Sequence, residues 1–87
     1  MADLEIECDV YKSLRHEYMY LYVRQDDGLS QVPDELLERF GPNEVTLSLT
    51  LHAERRLARE DPGRVMANIA EHGYHLQLPP ADKDILP

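Results

Sequence analysis

Val45-Thr46-Leu47-Ser48-Leu49-Thr50-Leu51 alternates aliphatic and hydroxyl side chains without a break. A strict period of two is the pattern of a half-buried strand, so this stretch predicts a strand with four aliphatic side chains on one face and hydroxyls on the other. Beyond it, Ala53 to Arg59 has room for about two helical turns. Asp61-Pro62 then supplies an N-cap and a first-turn proline for a second helical piece that ends at Gly73. Val65, Met66, Ile69 and Ala70 recur at the spacing of one buried stripe. Tyr74 to Leu78 reads as a last short strand, stopped by Pro79-Pro80. On the N-terminal side, Pro33 with Asp34 and Glu35 opens a short helix that Gly41-Pro42 closes, with Leu36, Leu37 and Phe40 toward the core. Tyr18 to Val23 is rich in strand formers and runs into the turn signal Gln25-Asp26-Asp27-Gly28. Leu4, Ile6, Cys8 and Val10 alternate with polar residues and read as its hairpin partner. The expected class is α+β: two layers, an antiparallel-dominated sheet of four strands, helices mostly on one face, in the order β-β-α-β-α-α-β.

A chain of 87 residues has room for one core only, and a hydrophobic share of 43% suffices to build it. Residues 1–80 are read as one domain and 81–87 as a flexible tail. The single cysteine cannot form an intrachain disulfide, and Met1-Ala2-Asp3-Leu4-Glu5 lacks the basic and apolar regions of a secretion signal, so a cytoplasmic location is expected. No apolar run approaches the roughly 18 to 20 residues of a membrane helix. With 17 acidic against 9 basic side chains the net charge is -8, which disfavours phosphate backbones and anionic lipid as partners.

Several phrases in order bring a family to view: Cys8-x-x-Tyr11-x-Ser13, Tyr20-Leu21-Tyr22-Val23, Val32-Pro33 followed by Leu36, Phe40-Gly41, and Gly73-Tyr74-His75-Leu76-Gln77-Leu78-Pro79-Pro80. From Cys8 to Pro80 the chain resembles the YcgL-domain family of small bacterial proteins. The resemblance implies a cytoplasmic α/β protein and carries no catalytic residue onto this chain. It also implies a second aromatic after Gly73-Tyr74, where this sequence has His75.

Chemical constellations are sparse. His72 and His75 stand three apart beside Glu71, but Gly73 should end the helix between them, so no metal site is expected. Cys8 shares the apolar side of its strand with Ile6 and Val10, where a thiol is inert. The serines lack nucleophile-elbow glycines, and no glycine-rich phosphate loop or dinucleotide fingerprint is present, so no cofactor is implied. Asp3, Glu5, Glu7 and Asp9 recur at every second residue and read as a solvated, aggregation-blunting row on one strand face. Arg55, Arg56, Arg59 and Arg64 form the one basic concentration, interleaved with Glu54, Glu60 and Asp61 as a salt-bridged face.

With Met19, Leu21 and Val23 inward beside Leu47, Leu49 and Leu76, the opposite sheet face would carry Tyr18, Tyr20 and Tyr22 with Tyr11, His75 and Gln77. Tyrosines bring large contact area at low entropic cost, so this face is the expected interaction surface of a non-enzymatic binding or adaptor module with a protein partner. An RNA-related role would use the Arg55 to Arg64 cluster with stacked tyrosines. A small enzyme with an unrecognised site is the third reading.

Overall fold

The computed structural model describes residues 5–52, 54, 57 and 60–79. Strand β1 (Ile6–Ser13) and strand β2 (Tyr20–Arg24) precede helix α1 (Asp34–Phe40). Strand β3 (Asn43–Leu51), helix α2 (Pro62–His72) and strand β4 (Tyr74–Gln77) follow. The strands form one sheet in the order β3-β1-β2-β4, with every pairing antiparallel. Class, strand number and element order agree with the sequence reading. The expected helical turns at 53–59 and the tail at 81–87 fall largely or wholly outside the described residues.

Helix α2 forms as its punctuation predicts. Asp61 caps it by accepting the Arg64 backbone N–H at 3.0 Å, and Pro62 occupies the first turn. Gly73 ends it in the left-handed region at φ 90°, its N–H bonded to the Ile69 carbonyl. A side chain at this position would be strained, and its Cβ would lie 2.6 Å from the Gln31 Cβ.

The two described helices divide between the two faces of the sheet. Val65 and Ile69 of α2 pack with Cys8, Val10, Tyr22, Leu49 and Leu51. Phe40 of α1, flanked by Leu36 and Leu37, packs with Leu21, Val23, Val32 and Leu76 on the other face. Strand β2 contributes to both clusters. Its middle residues Leu21, Tyr22 and Val23 are all buried, so the strand is apolar on both sides and is covered on both sides.

Strand β3 departs from its expected pattern at one irregularity. Leu47 pairs with Val10 but Val45 pairs with Tyr11, so Thr46 has no partner on β1. The bulge carries Val45 to the α1 side, and only Leu49 and Leu51 reach the core beneath α2. Val45 and Leu47 are about half exposed, at 47% and 49%.

Candidate functional site

The tyrosine face is where the structure and the sequence reading part. Tyr22, His75 and Gln77 do share one face, as their register on β2 and β4 requires, but that face lies beneath α2 and all three are buried. Tyr20 packs, partly buried, at the edge of the same cluster. Tyr11 belongs to the opposite cluster, under α1. Tyr18 alone of the five stands well exposed, at 55%. The reason is the direction of β2: Leu21 and Val23 point to α1 with Leu76, as expected, which sends Tyr20 and Tyr22 to α2 rather than to solvent.

Beneath α2 these groups form a satisfied polar network. The Tyr22 hydroxyl donates to the Gln77 Oε1 at 3.0 Å, and its ring meets the His75 ring edge-on at 5.7 Å. His75 Nε2 lies 2.6 Å from the Glu60 Oε1, and its Nδ1 lies 2.8 Å from the Asn68 amide nitrogen. A carboxylate only accepts and an amide nitrogen only donates, so the proton sits on Nε2. Both ring nitrogens are thereby engaged inside the core, and the arrangement ties α2 and the segment before it to β4. Burial, then the Glu60 charge, pushes the Tyr22 phenol up to about 12. Cys8 is fully buried beside this cluster, and desolvation pushes its thiol up to about 12 as well. Sequence reading missed the Glu60–His75 pair because fifteen positions separate its members and no local period links them; it placed Glu60 in the salt-bridged face with the arginines instead.

The remaining candidates are placed as follows. His72 lies exposed at the end of α2, 3.8 Å from Glu71, whereas His75 is committed to the core network. Arg55, Arg56 and Arg59 lie outside the described residues, and Arg64 is exposed in the first turn of α2. Glu7 and Asp9 line one face of β1 as expected, accepting from Thr50 and Ser48 of β3 at 3.1 Å and 2.7 Å. Asp3 is outside the described residues.

The surface that sequence reading did not find is one end of the sheet. Ser13 ends β1 opposite Asn43, the first residue of β3, and Tyr20 begins β2 opposite Gln77, the last of β4. At this end the loop after β1 is clamped to the C-terminus of α1. The Ser13 hydroxyl donates to the Phe40 carbonyl at 2.6 Å, Arg15 Nη1 to the Glu38 carbonyl at 3.1 Å, and His16 Nε2 lies 3.1 Å from the Arg39 carbonyl. The Ser13 oxygen also accepts the backbone N–H groups of Arg15 and His16. These bonds satisfy carbonyls that a helix end leaves without partners. Within the loop Tyr18 adopts φ 65°, a left-handed conformation that a bulky side chain rarely takes and that marks stored strain.

Among the described residues the large hydrophobic side chains that stand exposed are Leu14, Tyr18, Val45, Leu47 and Leu78. Leu47, opposite Val10, lies midway along the edge strand β3 and Val45 stands opposite Tyr11, whereas Leu14 follows Ser13, Tyr18 lies in the loop before β2 and Leu78 follows Gln77, so these three adjoin this end. Two open depressions flank them. One of about 420 Å³ is lined by Lys12, Leu14, Glu17, Tyr18 and Tyr20; the other, of about 520 Å³, by Arg15, His16, Met19, Arg39 and Pro79.

A four-stranded antiparallel sheet held between two short helices, with a locked histidine in its core and an apolar rim at one end, defines a small α+β domain. Comparison with known sequences gives that class its family. The YcgL domain matches residues 8–80. A YcgL domain-containing protein of Stutzerimonas stutzeri (strain A1501) is 47% identical over 83 residues, 95% of this chain and 86% of the relative. Another, from Azotobacter vinelandii (strain DJ / ATCC BAA-1303), is 49% identical over 77 residues, 88% of this chain and 79% of the relative. The chain belongs to the YcgL-domain family.

Proposed function

We propose that the chain is a binding module that engages a protein partner through the end of its sheet, with Leu14 and Tyr18 at the centre of the contact. The observation that carries this reading is the exposure of three large hydrophobic side chains, Leu14, Tyr18 and Leu78, at one end of the sheet. Single apolar side chains scattered over a surface need no explanation, whereas a gathered set marks an interaction site. The loop clamp adds rigidity, so little conformational freedom is lost when a partner binds. The tyrosines that sequence reading assigned to contact contribute through Tyr18 and Tyr20; Tyr22, His75 and Gln77 build the scaffold beneath.

Site-specific photo-crosslinking tests the proposal. A benzophenone side chain placed at position 18 in cells should yield a discrete protein adduct, and one at Arg64, exposed on α2, should not. Equal labelling at both positions, or none at 18, decides against the sheet end. Leu14→Ser should remove the adduct at 18 without lowering the melting temperature, since Leu14 is more than half exposed.

A further inference from the structure

Resting on that reading of the sheet end, we infer that the notch between the β1–β2 loop and the end of α1 receives a carboxylate side chain of the partner protein, flanked by an aliphatic one. The notch is lined by two guanidinium groups, Arg15 and Arg39, with His16, Met19 and Pro79, and among the described residues no carboxylate lines it. In a chain with 17 acidic and 9 basic side chains, that is an unusual local balance. The ion pairs among the described residues are Lys12–Glu44, Arg24–Asp27, His72–Glu71 and His75–Glu60, so neither arginine of the notch is neutralised by one.

Arg15 is also held in place. Its Nη1 donates to the Glu38 carbonyl, and its side chain lies over Gly41, where a Cβ would approach the Arg15 Nε to 2.8 Å. The absence of a side chain at Gly41 is what lets the guanidinium lie there. A guanidinium fixed at one edge still offers a fork of N–H groups, which matches a carboxylate. The C-terminal carbonyls of α1 would repel an anion, but those of Glu38, Arg39 and Phe40 already accept from Arg15, His16 and Ser13. Met19 and Pro79 give the notch an apolar wall, and Leu78 stands half exposed next to Pro79.

The same features favour protein over nucleic acid. A net charge of -8 opposes an extended phosphate backbone far more than it opposes one carboxylate. Base stacking asks for several aromatic faces, whereas Tyr18 is the one well-exposed tyrosine.

The test is a titration followed by amide NMR shifts, with four probes: the blocked tripeptide acetyl-Leu-Glu-Leu-amide, its Leu-Gln-Leu counterpart, inorganic phosphate, and a ten-nucleotide oligouridine. The glutamate peptide should move the resonances of Arg15, His16, Met19 and Arg39. The glutamine peptide should bind at least about tenfold more weakly, the worth of one charge-assisted hydrogen bond. Arg39→Gln should abolish that difference, and Arg39→Glu should reverse it. The Arg39 side chain makes no hydrogen bond or ion pair among the described residues, so Arg39→Gln removes only its charge, and thermal melting of both variants checks that the last turn of α1 is kept. Equal binding of the two peptides, or no response at the notch, overturns the inference. So does phosphate or oligouridine binding the notch more tightly than the glutamate peptide. A crosslink at position 18 that persists in Arg39→Glu would sink this inference while leaving the sheet-end reading standing; loss of the crosslink in the parent protein would sink the reading itself.

Discussion

His75 and Glu60 meet at 2.6 Å across the gap between the edge strand β4 and the segment that leads into α2, and Asn68 holds the other side of the same imidazole. The pair is a lock between a helix and a strand rather than a surface ion bridge: the side-chain exposures are 7% and 20%. Removing either partner leaves the other with an unmet hydrogen-bonding group in a poorly solvated place. His75→Phe and Glu60→Ala should each cost about 1 to 3 kcal/mol, and the double variant should cost less than the sum of the two. Urea unfolding of the four proteins measures this; strict additivity would show that the two groups do not interact.

Alkaline pH should weaken the fold through Cys8 and Tyr22. Burial raises the thiol from 9.0 to about 12 and the phenol from 10.0 to about 12, so the folded protein keeps protons that the unfolded chain gives up. Stability is therefore fully present below about pH 9 and falls as pH rises toward 12. The slope approaches roughly 1.4 kcal/mol per pH unit for each group between its two values. Cys8→Ala should flatten the pH dependence that begins near 9 while lowering stability at neutral pH by loss of packing. A denaturation midpoint that is constant from pH 8 to 11 would contradict the assignment.

Leu47 and Leu49 were indistinguishable in the sequence and differ in the structure. Leu49→Ala should cost about 2 to 5 kcal/mol, because Leu49 is 9% exposed and leaves a cavity beneath α2. Leu47→Ala should cost about 1 kcal/mol or less, because Leu47 is half exposed. Equal melting temperatures for the two variants would place both on the same surface.

Tyr18 offers a separation of stability from binding. Its φ of 65° suits glycine, so relief of backbone strain in Tyr18→Gly should offset the loss of the ring's contacts to within about 1 kcal/mol. The photo-crosslink monitored from a neighbouring position such as Leu14 should disappear in the same variant. A Tyr18→Gly variant destabilised beyond that would mean that the ring contributes more to packing than its exposure implies.

How much of this was legible beforehand follows from the range of each signal. Strand alternation, the Asp61-Pro62 start and the Gly73 stop are local, and each produced its element. Which face of β2 is covered is not local: Tyr20 to Val23 is apolar on both faces, and one helix on each side resolves it. The bulge at Thr46 is set by pairing with β1, and the regular alternation of β3 hides it. The site at the sheet end eluded sequence reading for the same reason. Leu14, Tyr18 and Leu78 are spread over 65 positions and reach one end of the sheet only through the pairing of β1, β2 and β4.

The bonds from Ser13, Arg15 and His16 to the end of α1 bear on how the molecule opens. A helix of seven residues does not persist by itself in water, and α1 borrows the donors for its last carbonyls from a loop that precedes it in the chain. The helix and the β1–β2 hairpin should therefore form one cooperative unit. Amide hydrogen exchange at Phe40 and Gly41 should keep pace with exchange at Arg15 and His16, and Ser13→Ala should speed all four together. During synthesis the hairpin would be in place first, so that α1 condenses onto a template already made.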